Sequence, residues 1–277
     1  MIPILLRLGP ITIYSYGLMM AMGFIVADFL LTSECRRRGI STDFANGIVV
    51  WGAIGGIAGS RIYDVFDNWS AYASNPWSIV FSGAGFVWYG GFIGGIGVAA
   101  LVSRHYKVPI LRAFDMCAPA LILGQAFGRI GCLLSGDGDW GLPSTLPWAM
   151  AYPHAIVGWN ARTVLKFDPN GNLVSGFFPG VRVHPTPVYE SILYTAIFCF
   201  MWSIRKKAPE GRLISLYLIL EGMARFTVEF LRINPRVAMG LSEAQLISLV
   251  MIVIGLAIWY STAPRRSAIE APNALRA

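Results

Sequence analysis

Long apolar stretches alternate with short polar segments along almost the whole chain, and this pattern predicts a helical membrane protein. A transmembrane helix needs about 20 mainly apolar residues to cross the hydrocarbon core of a bilayer. Seven segments meet this requirement: 13–32, 45–63, 86–103, 113–134, 187–204, 213–232 and 243–262. We therefore predict an all-α polytopic membrane protein, with one seven-helix domain over 1–264, an outer segment at 141–185 within it, and a tail at 265–277.

The composition agrees with this class and excludes an ordinary soluble domain. Of the 277 residues, 55% are hydrophobic and only 13% are charged, and the mean hydropathy is +0.57. The formal net charge of +7 would suggest a nucleic-acid partner in a soluble protein. In a membrane protein, the positions of the basic residues along the chain matter more than their sum, and we predict no nucleic-acid partner.

Basic residues cluster after alternate predicted helices, as the positive-inside rule requires of cytoplasmic segments. The clusters follow helices 1, 3, 5 and 7 and comprise Arg36, Arg37, Arg38, Arg104, Lys107, Arg112, Arg205, Lys206, Lys207, Arg212, Arg265, Arg266 and Arg276. The loop at 64–85 contains Asp64 and Asp67 but no Lys or Arg. We therefore predict an amino terminus outside and a carboxyl terminus in the cytoplasm.

Predicted helix 4 contains Arg129 in a glycine-rich apolar stretch. A charge near the bilayer centre costs roughly 3 kcal/mol on insertion scales and more in simulation, so it normally has a partner and a task. Gly128 and Gly131 leave space beside it, and a polar turn with Asp137 and Asp139 follows. An anionic group entering from the outer leaflet suits this arrangement; a structural Arg–Asp pair is the alternative.

Predicted helix 6 carries four charged residues on one face. Glu221, Arg225 and Glu229 follow one another at four-residue spacing, and Arg232 comes three residues later. Such a face does not point at lipid. Either the charges compensate one another as a structural ladder, or Arg225 is a second anion-binding arginine.

Three further features have both a packing and a binding interpretation. Two glycine pairs in helix 3, Gly90-Gly91 and Gly94-Gly95, form a groove for another backbone or for a lipid head group. His184 is held between the outer segment and helix 5 by prolines, beside Tyr189 and Glu190. Arg61 can form a local ion pair with Asp64.

No cluster with metal-ligand spacing, phosphate-binding loop or dinucleotide fingerprint occurs at a convincing position. We therefore predict neither a metal nor a cofactor.

Six motifs, taken in order, resemble the bacterial prolipoprotein diacylglyceryl transferase family. They are Tyr16-Gly17-Leu18-Met19 in helix 1, Gly59-Ser60-Arg61 in helix 2, Gly90-Gly91-Phe92-Ile93-Gly94-Gly95 in helix 3, Gly128-Arg129-Ile130-Gly131 in helix 4, His184-Pro185 with Tyr189-Glu190, and Arg225-Phe-x-x-Glu229-Phe-x-Arg232 in helix 6. The resemblance covers most of the chain.

The resemblance implies an enzyme of the bacterial inner membrane with seven transmembrane helices and an outward amino terminus. Its reaction moves the diacylglyceryl group of phosphatidylglycerol to the thiol of the lipobox cysteine of a prolipoprotein, and glycerol 1-phosphate leaves. Arg129 and Arg225 would bind the phosphate and stabilise its growing charge. The thiol must also lose a proton, because the thiolate is the nucleophile.

The remaining site roles also follow from the resemblance. Catalytic or orienting groups would be Tyr16, Tyr89 and Asp137, besides the two arginines. Lipid-binding or supporting residues would be Gly90, Gly91, Gly94, Gly95, Ser135, His184, Glu229, Arg232 and Arg61.

Four positions depart from the family pattern inside the site itself. Tyr89 stands where the family commonly has His, and a phenol with a pKa near 10 is a poor base at neutral pH. Cys132 and Ser135 replace two asparagines, and Asp137 replaces a glutamate, with one additional residue before Trp140. Two alternatives therefore stay open: a divergent relative with another acceptor, and a non-catalytic lipid or anion-binding protein.

Overall fold

The computed structural model describes residues 1–9, 11–69, 72, 88–159 and 181–262. Within them the chain forms seven α-helices, which we label in order: α1 Ser15–Arg38, α2 Thr42–Asp67, α3 Trp88–His105, α4 Ile110–Ser135, α5 Thr186–Ile204, α6 Arg212–Val228 and α7 Glu243–Ser261. A 3-10 helix at Glu229–Leu231 follows α6. Two antiparallel hairpins are also present: β1 Ile4–Leu8 with β2 Ile11–Tyr14, and β3 Arg236–Ala238 with β4 Leu241–Ser242.

Each predicted apolar segment coincides with one helix, which confirms the mostly helical architecture of a polytopic membrane protein. Five of the helices (α1, α2, α4, α5 and α7) are long and apolar enough to cross a membrane. Helices α3 and α6, with 18 and 17 residues, are not among these five, so the count of seven spans stays a prediction. Residues 160–180 of the outer segment and the tail at 265–277 lie outside the described residues.

Helix α4 is the central element of the bundle. It contacts α1, α5 and α6. In its most apolar stretch of 18 residues, 44% are buried, whereas this share is at most 28% in the other four helices that could cross a membrane. Large apolar side chains on the outer helices stay exposed, among them Phe29, Phe66 and Val253. Such surfaces are suited to lipid.

The start of α6 is fastened to α4 by one buried carboxylate. Asp115 of α4 is 1% exposed, and it accepts hydrogen bonds from the backbone N–H groups of Gly211, at 2.5 Å, and Ile214, at 2.9 Å. These donors have no partner within their own helix. The bonds therefore fix the position of α6 relative to α4.

Helix α2 packs against α3 through facing glycines. A Cβ atom added to Gly94 would lie 2.2 Å from the carbonyl oxygen of Gly55, and one added to Gly90 would lie 2.2 Å from that of Gly59. A Cβ on Gly91 would meet the Ser60 hydroxyl at 2.6 Å. Helix packing, the alternative to lipid binding, therefore accounts for Gly90, Gly91 and Gly94.

Arg38 and His105 end helices α1 and α3 at one end of the bundle. At the other end, the segments that connect the helices meet around α4. We call this the head end; it contains the first residues of α1, α5 and α7 and the last residues of α4 and α6. Four side chains form its apolar core: Trp140, Tyr152, Val183 and Ile233. Backbone bridges join Gly141 to Arg232 and Pro143 to Val183, which brings the segment after α4 beside the end of α6.

The glycine contact predicts a position-specific effect within α3. Gly94→Ala should destabilise the folded protein by about 1–3 kcal/mol, because the new methyl group overlaps a backbone oxygen of α2. Gly95→Ala is the matched control, since a Cβ there meets nothing within 4 Å, and helix propensity favours alanine. Thermal unfolding in detergent should separate the two variants; equal midpoints would contradict this packing.

Candidate active site

Three arginines surround one buried carboxylate at the head end. Glu190, near the start of α5, is 0% exposed. Its oxygens lie 3.1 Å from Nε of Arg129, 2.6 Å from Nη1 of Arg225 and 3.4 Å from Nη1 of Arg232. Glu190 therefore connects α4, α5, α6 and the segment after α6.

Two further carboxylates complete the charge network. Asp139 pairs with Arg129 and with Arg232. Glu229 lies 3.0 Å from Nη2 of Arg225 and 3.6 Å from Nε of Arg232. The network contains three arginines and three carboxylates, so its net charge is zero. Buried charges in apolar surroundings are costly unless opposite charges compensate them.

Side-chain and backbone groups hold the carboxylates in place. Oε1 of Glu229 accepts hydrogen bonds from Oγ of Ser242, at 2.8 Å, and Nδ2 of Asn234, at 2.7 Å. The Thr186 hydroxyl donates to the backbone oxygen of Asp139 at 2.5 Å. Burial alone would raise the pKa of Asp139, but the charges of Arg232 and Arg129 outweigh it and hold the pKa at about 2.

A cavity of about 640 Å³ lies beside this network, between α1, α4, α6 and α7. Arg129 and Arg225 line it, whereas Arg232 is not among its lining residues and its side chain is 5% exposed. Arg129 and Arg225 therefore face the cavity, whereas Arg232 lies behind them and pairs with the carboxylates.

Four of the residues predicted from the sequence meet at this cavity: Tyr16, Arg129, Asp137 and Arg225. Burial and the neighbouring Asp139 carboxylate raise the pKa of Asp137. Unlike Asp139, Asp137 is therefore a carboxyl group whose proton is held more firmly than usual.

Other predicted residues surround the cavity without lining it. Glu229 and Arg232 belong to the charge network. Ser135 is buried and donates to the backbone oxygen of Cys132 at 3.2 Å. His184 Nδ1 lies 3.2 Å from the Tyr189 hydroxyl, which accepts from the Trp148 indole at 2.8 Å.

The remaining predicted residues lie on the α2–α3 side of the molecule. Arg61 is on α2 and is not among the cavity-lining residues. Tyr89 lies in the first turn of α3, but its side chain is outside the described residues. The binding roles predicted for Arg61, Tyr89 and the glycine pairs stay predictions.

One group of side chains has the spacing of a metal site. Ligand atoms of Cys132, Asp137 and Asp139 lie within 4.8 Å of one another. Asp139 is already neutralised by two arginines, and their positive charge opposes a cation at the same place. The arrangement therefore favours an anion-handling site.

Sequence reasoning missed the central role of Glu190 and the pairing of Asp139 with Arg232, whereas a pair between Arg129 and an aspartate was the alternative to anion binding. Glu190 appeared only as part of a motif, although a carboxylate inside an apolar helix is itself a signal. Its three partners come from distant parts of the chain, and sequence spacing does not reveal such contacts.

The Glu190 contacts predict a large stability effect. Glu190→Gln should lower the free energy of unfolding by about 3–5 kcal/mol, because three arginines would then face two carboxylates. Glu210→Gln is the matched control, since Glu210 forms a half-exposed pair with Arg112 at 3.2 Å, and such pairs contribute about 0–1 kcal/mol. Denaturant unfolding in detergent should show the difference; similar losses in both variants would contradict a central role for Glu190.

The chain is similar to known proteins along almost its whole length. The chain matches the prolipoprotein diacylglyceryl transferase family over residues 3–261. It is 34% identical over 260 residues to the phosphatidylglycerol–prolipoprotein diacylglyceryl transferase of Clostridium tetani, covering 93% of this chain and 96% of the relative. The enzymes of that name from Nostoc sp. and Gloeobacter violaceus are 31% and 30% identical, over 92% and 98% of this chain and 87% and 96% of their own lengths. With a match over nearly its whole length, the chain belongs to the prolipoprotein diacylglyceryl transferase family.

Proposed function

We propose that this protein transfers the diacylglyceryl group of phosphatidylglycerol to the thiol of a prolipoprotein lipobox cysteine, with release of glycerol 1-phosphate. The observation that carries the proposal is the pair of arginines, Arg129 and Arg225, facing one cavity between apolar helices. The names of the relatives supply the two substrates. The site would lie toward the outer leaflet of the inner membrane, with the amino terminus outside and the carboxyl terminus in the cytoplasm.

The two cavity-facing arginines are suited to the phosphate of the lipid. Each belongs to a different helix, and each is held from behind by Glu190. In the described ion pairs Arg129 uses Nη1 and Nε, and Arg225 uses Nη1 and Nη2. Nη2 of Arg129 and Nε of Arg225 therefore remain to donate to phosphate oxygens.

The neutral network makes these donors pre-organised. The phosphate gains negative charge as the carbon–oxygen bond breaks, and donors fixed beforehand stabilise that charge without reorganising. The carboxylates supply the fixation and also keep the empty site from carrying a large net charge in an apolar environment. Arg232 and Glu229 act in this supporting role.

The cavity walls are suited to a lipid substrate. Met20 and Phe24 of α1 lie on one side, and Ile247 and Met251 of α7 lie on the other. These side chains offer apolar surface to acyl chains, while the arginines meet the polar part of the molecule. Tyr16 and Asp137, on the same cavity, would orient substrate groups near the phosphate.

His184 has a positioning role in this proposal. Burial lowers its pKa, so the ring is neutral at pH 7 and takes part through its hydrogen bond with Tyr189. The Trp148 indole donates a hydrogen bond to the same hydroxyl. The three side chains together fix the first turn of α5, in which Glu190 directly follows Tyr189.

The defining test is transfer of labelled diacylglyceryl from phosphatidylglycerol to a lipobox peptide, with the purified protein in lipid vesicles. The cysteine peptide should become labelled and glycerol phosphate should be released. A matched peptide with serine at that position should stay unlabelled, since its hydroxyl is not ionised at neutral pH. Binding of lipid without transfer would instead support the non-catalytic alternative, and transfer to other acceptors only would support a divergent relative.

The arginine pair predicts a large and specific loss of activity. Arg129→Lys and Arg225→Lys keep the charge that Glu190 needs but lose the fork of donors, so each should lower kcat by about 10²–10³-fold. Arg112→Lys is the control, because Arg112 lies at the far end of α4 in a half-exposed pair. Helical content by circular dichroism should be unchanged. Retained transfer in Arg129→Ala and Arg225→Ala would overturn the assignment.

A further inference from the structure

A second polar layer lies one helical turn below the arginines. Gln125 precedes Arg129 by four residues on α4, and Glu221 precedes Arg225 by four residues on α6. Helix α5 runs in the opposite direction, and there Tyr194 follows Glu190 by four residues. Gln125, Tyr194 and Glu221 all line the cavity, displaced from the head end by about 5.4 Å, the rise of one turn.

This layer contains buried acceptors that lack a donor. Glu221 is 6% exposed, and its Oε1 accepts a hydrogen bond of 3.5 Å from the Tyr194 hydroxyl. No donor within the described part of the chain reaches Oε2 of Glu221, or Oε1 of Gln125. A buried acceptor without a donor is unfavourable. Because Glu221 is one of the residues that line the cavity, a substrate proton donor that reaches its carboxylate would satisfy it.

We propose that Glu221 is the general base of the reaction and accepts the proton of the lipobox thiol. The inference rests on the proposed function and adds the residue that makes the nucleophile. Glu221 thereby touches the reacting sulfur, whereas Tyr194 positions the carboxylate through its other oxygen.

The depth of Glu221 relative to the arginines matches an in-line displacement at carbon. The sulfur approaches the glyceryl carbon from the side opposite the leaving phosphate oxygen. An attack distance of about 3–3.5 Å plus one carbon–oxygen bond separates sulfur and leaving oxygen by about 5 Å. With the phosphate at Arg129 and Arg225, the sulfur therefore lies at the level of Glu221.

The orientation of a lipid in the bilayer favours the same assignment over recognition of the head-group alcohol. With its acyl chains toward the membrane interior, phosphatidylglycerol places the diacylglyceryl carbons deeper than the phosphate and the head-group alcohol further out. A layer below the arginines therefore meets the carbon under attack. A hydroxyl-binding subsite would lie on the other side of the arginines.

The step balances without any further reactant. The Glu221 carboxylate removes the proton from the S–H group, and the sulfur electron pair forms the new bond to the glyceryl carbon. The carbon–oxygen bond breaks, and its electron pair stays on the phosphate oxygen of glycerol 1-phosphate. The proton on Glu221 then passes to the departing phosphate, which regenerates the carboxylate.

The charged and titratable groups that act on Glu221 come from three helices: Arg225 and Tyr217 on α6, Arg129 on α4, and Glu190 and Tyr194 on α5. Helix α7 contributes Ala244, Ile247, Ser248 and Met251 to the cavity, none of which titrates.

The test compares Glu221→Gln with the unchanged protein in vesicles that contain phosphatidylglycerol, using two peptides. With the cysteine peptide at pH 7, the variant should lose about 10²–10⁴-fold in kcat, while KM for the lipid stays within about threefold because the arginines are intact. With a selenocysteine peptide, whose selenol ionises without a base, the variant should return to within about tenfold of the unchanged protein. Arg129→Lys should show no such rescue.

The dependence of kcat on pH distinguishes a general base from a residue with only a structural role, because loss of a structural residue would not change this dependence. With the cysteine peptide, kcat of Glu221→Gln should rise about tenfold per pH unit until the thiol itself ionises near pH 8.5, while Glu210→Gln keeps the profile of the unchanged protein. Glu221→Asp retains a carboxylate base and should keep more activity than Glu221→Gln. If Glu221→Gln does not fold, Glu221→Asp is compared with the unchanged protein instead.

The outcomes separate the inference from the function on which it rests. No transfer by the unchanged protein to either peptide would overturn both. Transfer by the unchanged protein, with Glu221→Gln equally active or equally slowed for both peptides, would overturn only the role of Glu221.

Discussion

The contact of Glu190 with Arg129, Arg225 and Arg232 is the interaction on which the rest of the structure depends. Three guanidinium groups within a bundle of apolar helices are tolerable only if carboxylates face them. Glu190 meets all three, and it does so from a helix that contains neither a basic residue of the network nor a second acid. Helices α4, α5 and α6 are therefore held in register by charge neutrality as well as by apolar packing.

Neutrality also explains how a site for an anionic lipid survives without a bound anion. If the arginines were uncompensated, the empty cavity would carry a charge that the membrane interior does not solvate. Paired with three carboxylates, they keep their geometry, and two of them still face the cavity. Selection of the phosphate then depends on directed donors and on the growth of charge during the reaction, more than on net charge. Arg232, which lies behind the cavity, contributes to this geometry without contact with the lipid.

The helical architecture could be predicted from the sequence because it depends on local composition, and all seven apolar segments coincide with helices. Arg129 and Arg225 could be predicted as well, since a charge in an apolar helix stands out whatever its partners are. Two pairings were among the alternatives open from the sequence, that of Arg129 with an aspartate and that of Arg225 with Glu229. The contacts of Glu190 are tertiary and could not be predicted. Alignment with the family motif placed Asp137 where the family has a carboxylate, yet the structure pairs Asp139 with the arginines. Gly136 and Gly138 adopt positive φ angles in between, and the backbone path they set determines which carboxylate reaches the network.

Four-residue spacing along antiparallel helices translates directly into depth in the membrane. Glu190, Arg129 and Arg225 form one level; Tyr194, Gln125 and Glu221 form the level beneath it. In the upper level Glu190 pairs with both arginines, whereas in the lower level Oε2 of Glu221 and Oε1 of Gln125 have no donor within the described part of the chain. Buried acceptors of this kind persist where a substrate supplies the missing donor. In this cavity, Arg129 and Arg225, which bind the phosphate, and Glu221, which accepts the proton, therefore lie one helical turn apart. Because of this separation, Glu221 does not form an ion pair with either arginine.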